Sequence, residues 1–217
     1  MPADAEPFAS GRDADVYAVG ADRVLRRYRA GGDVAPEAEL MRYAAAHGYP
    51  VPEVFVADGP DLLMQRLDGP TLLQAALSGR LGSREVGELL AELQNRLHAL
   101  PVPSGRPGLS LVHGDFHPEN VILTGAGPMV IDWRNAAERS PGFDIATTAI
   151  ILGQVHFDPA YSAVSALVRD CLTSYLEAAP DPTPELPAAL AARAADPAVG
   201  PVERDRLEAV EAFIRNR

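Results

Sequence analysis

The chain has 217 residues, 47% of them hydrophobic and 23% charged, which is the composition of a globular protein with a sizeable core. Its formal net charge of -11 argues against nucleic acid as a partner, because nucleic-acid binding relies on Lys and Arg to neutralise phosphates. The single cysteine excludes an intrachain disulfide, and no segment has the roughly 18 apolar positions of a membrane helix, so we expect a cytoplasmic protein without a membrane partner.

The first third of the chain has the pattern of a small sheet with one helix. Its clearest strand segments are 16–19, 24–28, 54–56 and 62–64. Each pair flanks turn residues, as in a hairpin. Between the pairs, a helix is predicted from Pro36 to His47, since Pro is well tolerated in a first helical turn. We count five strands and one helix, and expect them to form an N-terminal lobe at residues 1–66.

The remaining residues, 67–217, are predicted to form a mainly helical lobe. Apolar residues recur at steps of three and four between residues 86 and 100, which is typical of an amphipathic helix. A short hairpin is expected near residues 121–131. Further helices are predicted at 145–155 and 161–176.

The most unusual segment is His-Gly-Asp-Phe-His-Pro-Glu-Asn at residues 113–120, followed by Ile-Asp-Trp at residues 131–133. Phosphoryl transfer needs an acceptor for a hydroxyl proton, ligands for Mg²⁺ and cations for the phosphate oxygens. Asp115 and Asn120 can supply a base and a metal ligand from one loop, and Asp132 can supply a second ligand. Oxygen ligands of this kind suit Mg²⁺.

The 113–120 segment resembles the catalytic loop of the protein-kinase-like fold, in the form found in aminoglycoside phosphotransferases and choline kinases. The resemblance implies a bilobal α+β fold, with a small five-stranded antiparallel N-terminal lobe carrying one helix and a mainly helical C-terminal lobe. It implies that the N-terminal lobe, residues 1–66, binds the nucleotide and that the C-terminal lobe, residues 67–217, is catalytic and binds the substrate. It also implies a role for each residue of the motif. Asp115 would be the catalytic base, and His117 would donate a hydrogen bond to the transferred phosphate. Asn120 and Asp132 would bind Mg²⁺, and His113 would support the loop.

The same resemblance extends to the nucleotide side. The strand that includes Arg26 corresponds to the one that carries a phosphate-binding Lys in related kinases. All 19 basic residues of this chain are Arg, so Arg26 is the predicted cation, with Arg27 on the opposite strand face as the alternative. Its implied acidic partner is Glu37 on the first helix, and Glu39 is the nearby rival.

Three further segments match expected parts of the family. Asp144 corresponds to an aspartate that supports the catalytic loop from the following helix, although it could also serve as a simple N-cap. The main chain at Gln65 and Leu67 would contact the purine as a hinge. In place of a glycine-rich loop, residues 10–17 contain one glycine and two acids, which leaves Ser10 and the main chain near Gly11 for phosphate contacts.

These residues predict a kinase that transfers the γ-phosphate of ATP or GTP to a hydroxyl of a small molecule such as an aminoglycoside, an amino sugar or a related metabolite. Two alternatives keep the fold: a nucleotide-binding pseudokinase with a regulatory role, and an atypical protein kinase. A third alternative is a metal-dependent hydrolase, because His113, Asp115 and His117 have a spacing that could hold a metal.

Overall fold

The computed structural model describes residues 6–7, 9–11, 13–197 and 199–216. The chain divides into two compact units. One contains Met1–Gly69 and Ile122–Asn135, and the other contains Pro70–Val121 and Ala136–Arg217. The predicted boundary after residue 66 lies near the first of these divisions, but the return of the chain to the first unit after residue 121 was not predicted.

The described residues form short strands and eight α-helices. The strands are β1 (Ala9–Ser10), β2 (Ala14–Val19), β3 (Arg23–Tyr28), β4 (Val54–Asp58), β5 (Asp61–Gln65), β6 (Ser110–Val112), β7 (Val121–Thr124), β8 (Gly127–Val130) and β9 (Ala137–Arg139). The helices are α1 (Ala35–Ala46), α2 (Leu72–Leu77), α3 (Ser83–His98), α4 (Pro141–His156), α5 (Ser165–Ala178), α6 (Leu186–Ala195), α7 (Pro201–Asp205) and α8 (Leu207–Arg215).

The first unit contains a five-stranded antiparallel sheet in the order β1-β2-β3-β5-β4, with α1 as its helix. This confirms the predicted sheet. Gly20 takes a φ of 71° in the β2–β3 turn, a left-handed conformation that glycine adopts at little cost. Met41 and Ala44 on α1 are buried, and Leu40 is half-buried.

The hairpin of β7 and β8 belongs to the same unit and packs close to its main chain. The Val130 amide donates to the Pro50 carbonyl at 2.8 Å. Trp133 is fully buried, meets Tyr49 edge to face and donates through Nε1 to the Val130 carbonyl at 3.0 Å. These contacts fix the residues that surround Asp132.

The second unit is built mainly from helices. α3 packs along α5, and α4 packs against α5, α6 and α8. Gly87 allows the close approach of α3 and α5, since a Cβ at that position would lie 2.1 Å from the Ser174 Oγ. The short strands β6 and β9 pair antiparallel, with Leu111 opposite Glu138, and β6 leads directly into the 113–120 loop.

Two sequence-based expectations change in this unit. α5 begins at Ser165 rather than at residue 161, because Pro159–Tyr161 forms a separate 3-10 turn in which the Asp158 carboxylate accepts from the Ala160 amide. Strand β9 was not predicted. Within the described part of the chain, no helix is both long enough and apolar enough to cross a membrane.

Candidate active site

Arg26 lies at the centre of a charged cluster in the first unit. It is buried on β3, and its guanidinium donates to Glu37 Oε1 at 2.9 Å and to Asp132 Oδ1 at 2.5 Å. Burial lowers the pKa of Arg26, but the charges of Asp132 and Glu37 outweigh this effect and raise the pKa above its ordinary value. Arg26 is therefore a permanent cation held between two carboxylates.

The neighbouring arginine has a different environment. Arg27 points to the other face of β3, is exposed, and forms a bidentate pair with Asp61 at 2.6 and 2.5 Å. This difference follows from the alternation of side chains along a strand. The geometry therefore favours Arg26 over Arg27 as the cation of the cluster, and its predicted contact with a nucleotide phosphate stays a prediction.

The acidic partner on α1 is equally well defined. Glu37 lies in the first turn of the helix, is 7% exposed, and accepts hydrogen bonds from Arg26 and from the Tyr28 hydroxyl, the latter at 2.7 Å. Glu39 is exposed. Burial raises the pKa of Tyr28, so its hydroxyl remains a donor to Glu37.

Asp132 has an uncommon backbone conformation. Its φ is 64°, and it is the one non-glycine residue with a positive φ among those the structure describes. A side chain in the left-handed region costs about 1 kcal/mol or more, and Asp tolerates it better than most residues. Its side chain remains 41% exposed although one oxygen is bound by Arg26. The strained backbone thus presents a carboxylate that retains access to solvent.

In the second unit, the 113–120 loop carries Asp115. Burial raises the pKa of the Asp115 carboxyl, but the combined effects of His117, His113 and Arg193 outweigh burial and lower it. The result is a pKa below the ordinary value, so the carboxylate is ionised at neutral pH. His117 Nε2 lies 3.8 Å from Asp115 Oδ2, which is beyond hydrogen-bonding distance.

Asn120 is held by the same loop. Its Nδ2 donates to the main-chain oxygen of Asp115 at 2.8 Å and lies 3.1 Å from His117 Nε2. The Glu119 amide donates to His117 Nδ1 at 3.3 Å. Both ring nitrogens of His117 therefore contact the loop itself, and its predicted hydrogen bond to a phosphate stays a prediction. The amide oxygen of Asn120 is left as the group available for a ligand.

Asp144 anchors the start of this loop from α4. Its side chain is fully buried, and it accepts from the main-chain amides of Gly114 at 2.8 Å and His113 at 3.3 Å. The helix begins at Pro141 with Ser140 as its N-cap, so the alternative reading of Asp144 as an N-cap is wrong. Its contacts support the main chain at the start of the 113–120 loop.

Two side chains of α3 complete the environment of Asp144. His98 Nε2 and Gln94 Nε2 each lie 2.9 Å from Asp144 Oδ2, and the Tyr175 hydroxyl donates to Gln94 Oε1 in a short hydrogen bond. Burial raises the pKa of Asp144, but its contacts with His98, Gln94 and the Gly114 amide lower it overall. Asp144 is therefore a buried carboxylate that stays ionised.

Sequence reasoning missed both α3 residues. His98 was given no role from the sequence, whereas its side chain is 8% exposed and contacts Asp144. Gln94 falls on the buried face of α3 with Leu90 and Leu97. A polar residue at a buried position of an apolar stripe is a detectable signal, because such a group needs a hydrogen-bond partner.

The remaining predicted contacts lie in the first unit. The Gln65 amide donates to the Glu53 carbonyl at 2.8 Å, and the Arg66 amide donates to the Asp22 carbonyl at 2.9 Å. Both amides are therefore used within the protein, and the next amide of the predicted hinge is that of Leu67. Ser10 lies on β1 and is exposed. Arg12, within the same segment, lies outside the described residues.

The APH family, described as a phosphotransferase enzyme family, matches residues 4–109 and 103–170, which together span most of the chain. The chain belongs to the APH phosphotransferase family. No protein of curated function matches it in sequence.

Solved structures with the same fold include aminoglycoside phosphotransferases and choline/ethanolamine kinases. A choline/ethanolamine kinase family protein from Mesorhizobium loti has a TM-score of 0.54 and 16% identity, over 97% of this chain and 86% of that one. The gentamicin complex of APH(2")-IIa has a TM-score of 0.59 and 16% identity, over 97% and 90%. Amicoumacin kinase hAmiN, in complex with AMP-PNP, Ca²⁺ and Ami, has a TM-score of 0.55 and 13% identity, over 100% and 89%. These similarities confirm the predicted protein-kinase-like fold.

The predicted metal ligands of this APH chain have suitable chemistry for Mg²⁺. Asn120 offers an amide oxygen and Asp132 a partly exposed carboxylate, and Mg²⁺ typically binds one or two such groups while keeping several waters. Among the described residues, no three His, Cys, Asp or Glu side chains are grouped as a metal site. The geometry thus gives no support to the hydrolase-type site at His113, Asp115 and His117.

Proposed function

We propose that this APH phosphotransferase is a small-molecule kinase that transfers the γ-phosphate of ATP or GTP to a hydroxyl group. The observation that carries the proposal is the 113–120 loop, in which Asp115 is ionised, Asn120 is oriented by hydrogen bonds, and the main chain is anchored by the buried Asp144. ATP is the better supported donor, because structures with the same fold contain ATP with streptomycin and AMP-PNP with Ca²⁺.

In this proposal the acceptor oxygen attacks the γ-phosphorus and the bond to the bridging oxygen of the nucleotide breaks, which releases ADP or GDP. Asp115 orients the acceptor hydroxyl and accepts its proton. Arg26 binds phosphate oxygens while Glu37 fixes its position. Asn120 and Asp132 would hold Mg²⁺, which supplies positive charge to the phosphate oxygens. Gln65 and Leu67 at the hinge and Ser10 on β1 complete the proposed nucleotide contacts.

The test is a transfer assay with both nucleotides and a panel of aminoglycosides, amino sugars, macrolides and nucleosides, with products identified by mass spectrometry. Asp115→Ala and Asp132→Ala should each lower turnover by about 10²–10⁴-fold or more without unfolding the protein. Asp58→Ala, at an exposed position at the end of β4, is a matched control for removal of a carboxylate from the first unit. Near-wild-type turnover in either site variant would contradict the proposal.

A second candidate function is nucleotide binding without transfer. Residues 10–17, the segment expected to contact the phosphates, favour this candidate because they contain few glycines. The Gly11 amide already donates to the Ala14 carbonyl at 2.9 Å. A pseudokinase would bind ATP in a calorimetric titration and yield neither phosphorylated acceptor nor ADP. The atypical protein-kinase alternative is less favoured, because only residues 133–143 separate Asp132 from Asp144, too few for a peptide-binding activation segment.

A further inference from the structure

The segment at residues 10–17, which takes the place of a glycine-rich loop, contains two acids. Carboxylates at this position would repel the phosphates of a nucleotide unless cations neutralise them. Asp15 has such a cation, because Arg29 Nη1 lies 2.6 Å from its carboxylate. Arg29 also holds the main chain of the segment, since its amide donates to the Asp13 carbonyl at 3.0 Å and its Nη2 to the Gly11 carbonyl at 2.8 Å. The charge of Asp15 is therefore balanced by the residue that directly follows β3.

The other acid, Asp13, has its partner in a distant part of the sequence. Arg134 lies in the short 3-10 turn Trp133–Asn135, two positions after Asp132. Its Nη1 lies 2.8 Å from Asp13 Oδ2. Both ends of this ion pair belong to the first unit. The pair therefore joins the 10–17 segment to the chain beside the proposed Mg²⁺ ligand.

Arg134 also shares an aromatic ring with the buried cation of the charged cluster. Its guanidinium carbon lies 4.5 Å from the centroid of the Tyr28 ring, and that of Arg26 lies 4.8 Å from the same centroid. The cation–π contact with Tyr28 fixes the direction of the Arg134 side chain, although 42% of that side chain is exposed. The ion pair with Asp13 is therefore held close to Arg26, the residue proposed to bind phosphate oxygens.

The exposure of this ion pair separates a role in stability from a role in nucleotide binding. The side chains of Arg134 and Asp13 are 42% and 54% exposed, and exposed ion pairs add little to the stability of a fold. An unpaired carboxylate beside a triphosphate, in contrast, repels it directly. The loss of Arg134 should therefore change the affinity for ATP much more than the unfolding midpoint.

We propose that Arg134 is a nucleotide-positioning residue that acts through Asp13. It neutralises this acid and holds residues 10–17 beside Asp132, where the phosphates would lie. The inference rests on the nucleotide site of the proposed function, but it does not require that phosphate transfer occurs. It removes the electrostatic obstacle that an acidic, glycine-poor segment would otherwise present to ATP.

The test is a double-mutant cycle in the binding of Mg²⁺ and ATP, measured by calorimetry. Arg134→Gln should weaken ATP binding about 10-fold, because Asp13 is left unpaired beside the phosphates. Asp13→Asn should bind ATP at least as tightly as the wild type, and the double variant should lie within about 3-fold of the wild type. Added salt should shrink the effect of Arg134→Gln, because exposed charges are screened. Arg27→Gln, which removes an exposed arginine paired with Asp61, is the matched control and should bind as the wild type does.

The Tm of Arg134→Gln should fall by no more than about 4 °C, which shows that the variant is folded. Where transfer occurs, KM for ATP should rise by the same factor as the dissociation constant, with kcat retained.

Two results would overturn the inference. One is an unchanged affinity for ATP in Arg134→Gln. The other is a double variant that binds as weakly as Arg134→Gln, which would mean that Arg134 contacts the phosphates itself and does not act through Asp13. The expected binding pattern without transfer would reject the kinase function and leave the inference in place, whereas no ATP binding to the wild type would reject both.

Discussion

Replacing Asp144 with Asn keeps the shape of the side chain but removes its charge. Asp144 is fully buried and accepts hydrogen bonds from the main chain at Gly114 and His113 and from the side chains of Gln94 and His98. The amide of Asn would place an NH₂ group against some of these donors. We therefore expect the variant to be less stable and to hold the 113–120 loop less firmly in position.

The magnitude follows from the burial. Leaving a buried hydrogen-bonding group without its partner typically costs about 1–3 kcal/mol, so the loss of acceptors for at least two of the four donors around Asp144 should cost about 3–5 kcal/mol. For a chain of this size each kcal/mol shifts the unfolding midpoint by about 2–4 °C, so Asp144→Asn should lower Tm by about 6–20 °C. Asp170→Asn, at an exposed position on α5 beside Arg169, is the matched control and should leave Tm nearly unchanged.

The assay is thermal unfolding followed by circular dichroism, combined with transfer kinetics at a temperature where both variants are folded. Turnover should fall in Asp144→Asn, while KM for ATP should change little because Arg26 and Glu37 belong to the other unit. A double variant with His98→Asn should lose less stability than the sum of the two single changes, since both remove the same contact. A Tm of Asp144→Asn within about 1 °C of the Asp170→Asn control would refute the reasoning.

The charge of Asp144 can also be tested through the pH dependence of protein stability. The pKa of Asp144 in the folded protein lies below its ordinary value, so the stabilisation from its charge is present above that ordinary value, about pH 4, and is lost as the pH falls through the folded pKa. Asp144→Asn lacks this contribution. The difference in stability between the wild type and the variant should therefore narrow as the pH falls below about 4, and a difference that widens there would contradict the assigned charge state.

Two further predictions concern the first unit. Arg26→Gln should lower kcat/KM for ATP by about 100-fold or more, because it removes the buried cation that contacts both Glu37 and Asp132. Arg27→Gln should have little effect, because Arg27 is exposed. Equal effects of the two changes in steady-state kinetics would contradict the choice of Arg26 as the phosphate-binding cation. Gly69→Ala should destabilise the protein strongly, since Gly69 has a φ of +153° and an added Cβ would lie 2.0 Å from a main-chain oxygen of β7. Chemical denaturation should show a much smaller loss in the free energy of unfolding for Gly31→Ala, where nothing lies within 4 Å of the added Cβ.

The short-range features of this chain were predictable because they depend on local patterns. Strand alternation places Arg26 and Arg27 on opposite faces of β3, and the spacing within residues 113–120 places Asp115 and Asn120 on one loop. The five-stranded sheet follows from turn residues between apolar segments, such as Gly20 between β2 and β3.

The features that were missed depend on contacts between distant parts of the chain. β9 has only three residues, Ala137–Arg139, which show no periodicity and become a strand only by pairing with β6. The contact of His98 with Asp144 joins residues 46 positions apart, and no local pattern distinguishes that His from one at the surface. Arg193 similarly acquires its environment from Gln154 on another helix.

The two carboxylates proposed for chemistry have neighbours at different distances, and this difference matches the roles proposed for them. Asp132 Oδ1 accepts a hydrogen bond from Arg26 at 2.5 Å, and the raised pKa of Arg26 makes it a cation at every pH at which the protein is folded. His117 Nε2, in contrast, lies 3.8 Å from Asp115 Oδ2, which is beyond hydrogen-bonding distance. A ligand for a divalent cation must be held in one position, and the contact with Arg26 does this for Asp132. A base must contact the acceptor hydroxyl, and Asp115 can do so without first breaking a hydrogen bond to His117.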